Sequence, residues 1–455
     1  MKKIAGRAAI IYALIAAFIA GVAILVASIM LNGAEWASNK ANRHIYSGGT
    51  IVNAGKILDR NGKTLAYSSD NERIFADNST VRKATLHIVG DTAGYISTGT
   101  HYLFRDTLSG YSRIEGIYTL KQTGTGTNIN LNIDAEANKI AYNAFGELNG
   151  AVAVYNYKTG ELLCSVSKPT YDIENKPDDL LTNEVYSGVF LDKVISGIYT
   201  PGSIMKIVTA ACAIENIPDI YSRTFGCDGE YETDDGKVIC NGVHDEVNFE
   251  QAMNESCNCA FAEISIELGA AKLKATAEAM GFNTQLYAKE IRLTTSRFEP
   301  DTQSKAELGW AGIGQSTTLV NPSHFLSIMG AIANGGNGLA PDRIKSLGTV
   351  SEIVGRVPET SIKIAPETAQ KLSLLLRSNV ENKYGDWKFE NLQMCGKTGT
   401  AQVDGAKSHS WFVGYSMRDD LPLAVVCIVE HGGYGSGIAS TVTNKVMQYF
   451  LKNYT

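Results

Sequence analysis

One segment near the start of the chain leaves little choice of structure. Residues 8–31 are apolar or small and include no charged side chain. At about 1.5 Å per residue in a helix, a run of this length crosses a hydrocarbon core of roughly 30 Å. Lys2, Lys3 and Arg7 precede the run, and positive charges on the short flank favour a cytoplasmic N-terminus. We therefore predict a cytoplasmic tail and a single transmembrane anchor over residues 1–31, with the rest of the chain outside the membrane.

A cleaved signal peptide is the competing interpretation of this segment. The apolar core of a signal peptide spans about 7 to 15 residues and precedes a small-x-small cleavage site. The run in this chain is longer, and no good site of that kind follows it. These two differences favour the anchor.

The residues after the anchor have the composition of a soluble globular protein. The chain has 455 residues, which is enough for a small domain and a large one. Its 41 basic and 47 acidic residues give a formal charge of -6, so no nucleic-acid partner is expected. Residues 32–127 are polar and end in a linker-like stretch at 123–127. We predict an N-terminal pedestal domain at 32–127 and a main domain at 128–455; the alternative is that both pack as one body.

Ser203 and Lys206 form a Ser-x-x-Lys motif at the predicted start of a helix. Pro201-Gly202 interrupts the chain just before the motif, and an apolar run at 204–214 follows it. Residues three apart share a helical face, so the Lys206 amine can reach the Ser203 hydroxyl. A lysine that burial or a nearby positive charge keeps partly neutral can take the proton of a hydroxyl and activate it. Taken alone, the motif is also typical of a helix-capping serine followed by a solvated lysine.

A second basic motif, Lys397-Thr398-Gly399-Thr400, precedes two strand-like runs at 410–415 and 423–429. We expect these runs to form adjacent strands. The glycines in and before the motif would weaken an interior strand, but they would let a ligand backbone lie against an edge strand. The lysine and the two threonine hydroxyls have the chemistry to hold a carboxylate.

The same Lys-Thr-Gly tripeptide occurs a second time, at Lys158-Thr159-Gly160. This copy lies between strand-like runs at 151–155 and 162–166, so we predict a hairpin turn there. Identical letters therefore predict a site in one place and a turn in the other.

The third motif is Ser256-Cys257-Asn258. A serine and an asparagine in this arrangement are common in helix caps and turns, which is the simpler interpretation of the motif alone. Its position between the other two motifs is what indicates a role in a site.

In this order, the three motifs resemble those of the penicillin-binding protein transpeptidases, which share the serine acyltransferase superfamily with serine β-lactamases. The chain is most similar to the class B, penicillin-binding protein A-like members. The resemblance covers roughly residues 50–70 and most of 128–455. It implies an α+β fold, in which an antiparallel sheet is flanked by helices, on a small pedestal behind a transmembrane helix. Four further segments carry the resemblance: 55–66, 150–172, 314–322 and 333–336.

The resemblance implies a role for each motif residue. Ser203 would be the acylated nucleophile, and Lys206 would be its general base. Ser256 would relay a proton to the leaving group, and Asn258 would donate a hydrogen bond to the substrate amide.

The remaining implied roles concern substrate binding. Lys397, counted with the catalytic residues, would hold the terminal carboxylate together with Thr398, Gly399 and Thr400. The backbone N–H groups of Ser203 and Thr400 would form an oxyanion hole. The chain departs from the family at residues 191–193, Leu-Asp-Lys, where an Asn-Arg pair is usual.

No cofactor or metal is expected in the catalytic site. The chain contains no His-Glu-x-x-His motif, P-loop, Gly-x-Ser-x-Gly elbow or Rossmann fingerprint in a suitable context. Its seven histidines are scattered. The single candidate for metal binding is His244, which lies next to Asp245 and within reach in sequence of Cys227 and Cys240.

The eight cysteines give a weak disulfide pattern. Cys227 and Cys240 bracket a predicted hairpin at 228–239 and are the only pair placed to form a bridge. Cys257 and Cys259 are too close in sequence to constrain much of the chain.

The resemblance implies a peptidoglycan D,D-transpeptidase that cross-links D-Ala-D-Ala stem peptides through an acyl-enzyme on Ser203 and that β-lactams acylate. Three alternatives stay open: a D,D-carboxypeptidase, a β-lactamase and a non-catalytic division scaffold. A β-lactamase would need a second base, and no such carboxylate motif is evident between Asn258 and Lys397. We expect no glycosyltransferase domain before the transpeptidase, so the resemblance implies a separate partner, a membrane-embedded SEDS-type glycosyltransferase.

Overall fold

The structure is a computed structural model that describes most of the chain. The described residues are 2–37, 39, 41, 46–47, 50–51, 53–70, 72–111, 125–289, 291–347, 360, 362–403, 405–433 and 437–454. Part of the predicted linker, residues 123 and 124, lies outside these ranges.

Helices occur throughout the described residues. In chain order they are α1 (Lys2–Ala37), α2 (Ser79–Val89), α3 (Thr100–Leu103), α4 (Arg105–Leu108), α5 (Ala135–Ala144), α6 (Lys193–Ser196), α7 (Lys206–Asn216), α8 (Phe249–Asn254), α9 (Asn258–Ala279), α10 (Lys305–Gly312), α11 (Pro322–Ala333), α12 (Pro366–Ser378) and α13 (Ile438–Asn453).

The strands are mostly short outside the main sheet. In chain order they are β1 (Tyr46–Ser47), β2 (Thr50–Ile51), β3 (Ile57–Leu58), β4 (Thr64–Ser69), β5 (Glu72–Phe75), β6 (Ile129–Leu131), β7 (Gly150–Asn156), β8 (Leu162–Lys168), β9 (Thr224–Cys227), β10 (Glu230–Thr233), β11 (Gly236–Ile239), β12 (Asp245–Asn248), β13 (Tyr287–Ala288), β14 (Ile291–Arg292), β15 (Ile344–Ser346), β16 (Met394–Val403), β17 (Ala406–Ser416) and β18 (Leu423–Val429).

The main sheet has five antiparallel strands in the order β16-β17-β18-β7-β8. Every residue of β7, β8 and β18 is buried, so both faces of the sheet are covered. Because successive side chains of a strand point to opposite faces, Val426 belongs to the buried cluster that includes residues of helices α7, α9 and α11, while Val425 belongs to the cluster that includes residues of α5 and α13. The predicted α+β fold, with an antiparallel sheet flanked by helices, is confirmed.

A second five-stranded sheet has the order β15-β6-β3-β4-β5. Three of its strands lie within residues 32–127, but β6 and β15 come from the far side of the predicted boundary at 127/128. Strand β6 pairs in parallel with β3 and antiparallel with β15. The division into a pedestal and a main domain stays a prediction, and the two regions are joined by a shared sheet.

The apolar run of helix α1 is exposed, whereas the end of the helix packs against the body at Ala37. Among the described residues, its segment Gly6–Gly33 is the one stretch long and apolar enough to cross a membrane, and its most apolar part is not buried against the protein. An apolar surface of this extent requires an apolar environment, which agrees with the predicted anchor.

Candidate active site

Ser203 lies where the chain enters helix α7. A 3₁₀ turn at Gly202–Met205 leads directly into the helix, as the sequence predicts. Gly202 has φ 57°, a left-handed conformation that favours glycine. A Cβ atom at Gly202 would also lie 2.4 Å from the carbonyl oxygen of Thr400. Residues 200–203, which we call the nucleophile loop after the role predicted for Ser203, therefore abut strand β16. The first and last motifs are therefore adjacent in space.

The amine of Lys206 joins the first motif to Ser256-Cys257-Asn258. Its Nζ lies 3.3 Å from Ser203 Oγ and 3.1 Å from Ser256 Oγ. It donates shorter hydrogen bonds to Ser256 O, at 2.6 Å, and to Asn258 Oδ1, at 2.7 Å. A neutral amine has two N–H groups and one lone pair. If the two shorter bonds keep both N–H groups, the lone pair faces the two serine hydroxyls.

Burial lowers the pKa of Lys206 so far that a part of its amine is neutral near pH 7. The side chain is fully buried, and burial together with the positive charge of Lys397 lowers its pKa to about 7. Both effects disfavour the charged ammonium, the first through desolvation and the second through like-charge repulsion. Lys206 can therefore act as a base.

The Ser256-Cys257-Asn258 motif combines an uncommon backbone conformation with a helix cap. Ser256 has φ 55°, which is rare for a residue other than glycine and is concentrated at functional sites. Cys257 caps helix α9, and Asn258 is its first residue. The side-chain amide of Asn258 donates to Ile239 O at 2.8 Å while its Oδ1 accepts from Lys206. The motif is therefore both a helix cap and part of the site.

Lys397 lies on β16, the edge strand of the main sheet. Its side chain is fully buried, and burial with the nearby charge of Lys383 lowers its pKa to about 7. The ammonium lies 3.3 Å from Thr398 O and 3.4 Å from the Tyr384 hydroxyl. Among the described residues no acidic side chain forms an ion pair with Lys397. A carboxylate from a ligand would supply that missing negative charge.

Tyr384 is a site residue that the sequence analysis missed. It ends the π-helix Asn379–Tyr384, and its hydroxyl accepts hydrogen bonds from the backbone N–H and the Oγ1 of Thr398, both at 3.2 Å. The one available signal was a tyrosine shortly before the Lys-Thr-Gly motif. A helix with π geometry cannot be read from sequence, and such turns are common at functional sites.

Gly396 and Gly399, in and before the Lys-Thr-Gly-Thr motif, have a packing role that the sequence did not predict. A Cβ atom at Gly399 would lie 2.9 Å from Pro201 O and 3.0 Å from Ile204 Cγ2. At Gly396 it would lie 2.6 Å from the Phe412 ring. The absence of side chains there lets the nucleophile loop pack closely on the strand. Room for a ligand backbone along the free edge of β16 stays a prediction.

A cleft of about 640 Å³ adjoins the site on the far side of Thr400. Thr200, Trp310, Gln402 and His409 are among its lining residues, and Thr200 and Gln402 place it beside the nucleophile loop and β16. Its position suits the part of a substrate that extends away from the reacting carbonyl.

Asp192 and Lys193, within the segment 191–193 where the chain departs from the family pattern, have structural roles. Asp192 caps helix α6 by accepting from the Val194 N–H, and Lys193 forms a buried ion pair with Glu430 at 2.6 Å. Cys227 and Cys240, the candidate disulfide pair, are not bonded to each other. All eight cysteines, each within a described range, are free thiols, and Cys227 and Cys240 lie beside His244 instead.

Comparison with known proteins places this geometry in context. Residues 150–448 match the family model described as the penicillin binding protein transpeptidase domain. The chain is 27% identical over 314 residues to peptidoglycan D,D-transpeptidase PbpA of Mycolicibacterium smegmatis, which is 63% of the chain and 63% of that protein. It is 26% identical over 347 residues to the PbpA of Mycobacterium tuberculosis, 68% of each. The match thus spans less than two thirds of the first relative and about two thirds of the second.

Solved structures show the same fold. The crystal structure of PBPA from M. tuberculosis superposes with a TM-score of 0.77 at 22% identity, covering 88% of this chain and 100% of that one. The ceftriaxone acyl-enzyme complex of that protein also gives a TM-score of 0.77, at 23% identity, covering 87% and 97%. At this identity the likeness establishes the fold.

Proposed function

The chain belongs to the penicillin-binding protein transpeptidase family, and on that premise we propose that it is a peptidoglycan D,D-transpeptidase that works through an acyl-enzyme on Ser203. One observation carries the proposal. The buried amine of Lys206, with its pKa lowered to about 7, lies within hydrogen-bonding distance of Ser203 Oγ, Ser256 Oγ and Asn258 Oδ1. These are the groups that acyl transfer from a peptide needs: a nucleophile, a base and a proton relay.

Acylation would begin with attack of Ser203 Oγ on the carbonyl between the two D-alanines of a stem peptide. Neutral Lys206 takes the hydroxyl proton as the new C–O bond forms. The negative charge then moves to the carbonyl oxygen. The proposed oxyanion hole is formed by the backbone N–H groups of Ser203 and Thr400, and the close approach of Gly202 to Thr400 O brings these two stretches of backbone together.

The leaving group must gain a proton as the peptide bond breaks. Lys206 Nζ lies 3.1 Å from Ser256 Oγ, so the proton taken from Ser203 can pass through the Ser256 hydroxyl to the departing D-alanine amine. The acyl group stays on Ser203. An amine of a neighbouring stem peptide then attacks the ester, gives a proton back to the site and restores the Ser203 hydroxyl.

The carboxylate of the terminal D-alanine is the proposed ligand of Lys397 and Thr398, with Gly399 and Thr400 beside them. Lys397 has no acidic partner among the described residues. The Tyr384 hydroxyl accepts two hydrogen bonds from Thr398 and so fixes its position. Holding the carboxylate fixes the scissile carbonyl near Ser203, which raises its effective concentration. Asn258 would then donate to the substrate amide. A β-lactam presents a similar carboxylate beside a strained amide and would acylate the same serine.

The proposal is tested with the purified full-length protein in detergent. A donor peptide that ends in D-Ala-D-Ala and an acceptor amine are added, and free D-alanine and the cross-linked product are measured for the parent and Ser203→Ala. We expect both products from the parent and neither from the variant. Release of D-alanine without cross-linking would indicate a carboxypeptidase. No reaction with the peptides and none with penicillin would indicate a non-catalytic scaffold.

The membrane arrangement and the partner belong to the same proposal. Helix α1 would span the membrane with its N-terminus in the cytoplasm and the catalytic site outside, since Lys2, Lys3 and Arg7 precede its apolar run at 8–31. A SEDS-type glycosyltransferase would make the glycan and contact the anchor and the pedestal. Exchange of residues 1–31 for an unrelated anchor should abolish its co-purification from solubilised membranes; retention would count against this contact.

A further inference from the structure

Three cysteines and one histidine meet next to the catalytic motif. Cys227, Cys240, His244 and Cys257 each offer a ligand atom, and these four atoms all lie within 4.8 Å of one another. Cys227 and Cys257 are buried, and the other two are half-buried. They come from separate parts of the chain: the end of β9, the residue after β11, the turn before β12 and the cap of α9. Convergence of four such side chains is typical of a structural metal site.

The distances fit a tetrahedral zinc ion. Zinc binds cysteine sulfur at about 2.3 Å and histidine nitrogen at about 2.0–2.1 Å, so tetrahedral geometry puts two sulfurs roughly 3.8 Å apart and a sulfur and a nitrogen roughly 3.6 Å apart. Cys240 Sγ and Cys257 Sγ are 3.9 Å apart. His244 Nδ1 is 3.3 Å from Cys227 Sγ and 3.5 Å from Cys240 Sγ. A disulfide, in contrast, needs two sulfurs at about 2.05 Å.

The surroundings suit thiolates. The backbone N–H of Asn258 donates to Cys240 Sγ at 3.1 Å, and that of Ala260 lies 3.5 Å from Cys257 Sγ. Both N–H groups belong to the first turn of α9, which keeps helical geometry as far as the kink at Gly269 and whose positive end favours negative charge. Such donors around the sulfurs are the usual outer shell of a metal–thiolate site.

We propose that Cys227, Cys240, His244 and Cys257 bind a structural Zn²⁺ ion that fixes Ser256 and Asn258 in their catalytic positions. The binding of zinc does not depend on the proposed function, whereas the effect on catalysis rests on it. The soft donor set of three thiolates and one imidazole selects zinc over magnesium or calcium, which prefer oxygen. With four protein ligands the ion has no open position, so it would not act on substrate.

The link to catalysis is short. Cys257 stands between Ser256 and Asn258, so one ligand is a direct neighbour of both residues. Asn258 also bonds to a second proposed ligand and to the residue before it. Its backbone N–H donates to Cys240 Sγ, and its side-chain amide donates to the carbonyl of Ile239. The other end of that amide accepts from Lys206. Loss of the ion would free both the left-handed backbone at Ser256 and the acceptor of the catalytic amine.

Metal content tests the first part. The full-length protein is purified under reducing conditions without added metal, and its zinc is measured by mass spectrometry for the parent, His244→Ala, His244→Cys and Cys427→Ala. Cys427 is a buried cysteine of β18 and serves as the matched control. We expect about one zinc per chain in the parent, His244→Cys and Cys427→Ala, and strong loss in His244→Ala. A parent that contains no zinc, and shows no thiolate-to-metal absorption when titrated with Co²⁺, would overturn the site.

Penicillin acylation tests the second part. Zinc is removed from the parent by a chelator, and the acylation rate and the thermal midpoint are followed before removal, after it and after zinc is returned. We expect acylation to slow at least about tenfold without zinc and to recover when zinc is restored, since small misplacements at a reacting centre cost that much. An unchanged rate in zinc-free, folded protein would overturn the positioning role. A zinc-loaded parent that penicillin never labels would contradict the proposed function and leave the metal site standing.

Discussion

The two Lys-Thr-Gly tripeptides of this chain have the same sequence and opposite environments. Lys158 lies in the turn between β7 and β8, where its side chain is 48% exposed and reaches Asp419 at 3.5 Å. Lys397 lies in strand β16 and is fully buried, with a pKa lowered to about 7. In the turn, the side chain of Asn156 accepts from the N–H groups of Lys158 and Thr159, which is ordinary turn chemistry. Burial beside Ser203, and not the tripeptide itself, distinguishes the proposed site from the turn.

The largest expected difference between the two copies is in penicillin acylation. Lys397→Ala should lower the acylation rate by about 10²–10³-fold, because it removes a buried charge aimed at the substrate carboxylate. Lys158→Ala should change the rate by less than about twofold, since it removes an exposed, screened charge. The measurement is the second-order rate of labelling by a fluorescent penicillin. Equal effects of the two substitutions would show that burial does not give Lys397 a role that Lys158 lacks.

The pH dependence of acylation sharpens the comparison. Protonated Lys206 cannot accept the Ser203 proton, so the rate should fall about tenfold per pH unit below its pKa of about 7. Burial is the main cause of that low pKa, the charge of Lys397 adds to it, and the thiols of Cys240, Cys257 and Cys259 act in the opposite direction.

Replacement of Lys397 by methionine should therefore move the midpoint of the residual activity to higher pH. Lys158→Met, the matched change in the turn, should leave the midpoint where it is. A midpoint that stays near 7 in Lys397→Met would mean that the charge of Lys397 does not reach Lys206.

The third residue of each tripeptide separates stability from catalysis. Gly399→Ala would place a methyl group 2.9 Å from Pro201 O, and we expect a loss of about 1–3 kcal/mol in unfolding free energy together with slower acylation. Gly160→Ala forces alanine into φ 84°, at a cost of about 1–2 kcal/mol, with acylation unchanged. Urea unfolding and penicillin kinetics on both variants measure the two quantities. Slow acylation in Gly160→Ala alone would contradict the assignment.

The smallest expected effect concerns Tyr384, which has no counterpart in the turn. Tyr384→Phe removes the hydroxyl that accepts from Thr398 and lies near Lys397. Loss of neutral hydrogen bonds worth about 0.5–1.5 kcal/mol should slow acylation roughly 2- to 12-fold. Tyr157→Phe, which removes a buried tyrosine hydroxyl that donates to Ser416 O at 3.3 Å, is the control and should leave the rate unchanged. A parental rate in Tyr384→Phe would limit Tyr384 to a packing role.

Sequence patterns predicted what depends on neighbours along the chain. The Ser203–Lys206 spacing, the turn at Lys158, the hairpin between Cys227 and Cys240 and the strands after Lys397 all follow from local periodicity and turn residues, and the structure contains each of them.

What the sequence left open depends on long-range packing. Tyr384 reaches Thr398 through a π-helix, and the space at Gly399 is taken by Pro201, nearly two hundred positions away in the chain. Cys257 appeared too close to Cys259 to matter, yet it meets Cys227 and His244 because three short hairpin strands and the start of α9 converge there. The shared sheet, in which β6 and β15 join strands of residues 32–127, also depends on contacts between distant parts of the chain.

The most direct measurement is the site and lifetime of the penicillin adduct. The parent and Ser203→Ala are exposed to penicillin G, and intact masses and proteolytic peptides are followed by mass spectrometry over hours. We expect one adduct per chain, on the peptide that contains Ser203, stable for hours in the parent and absent from the variant. An adduct on another residue, or none in the parent, would contradict the assignment of Ser203, and an adduct that disappears within minutes would indicate a β-lactamase.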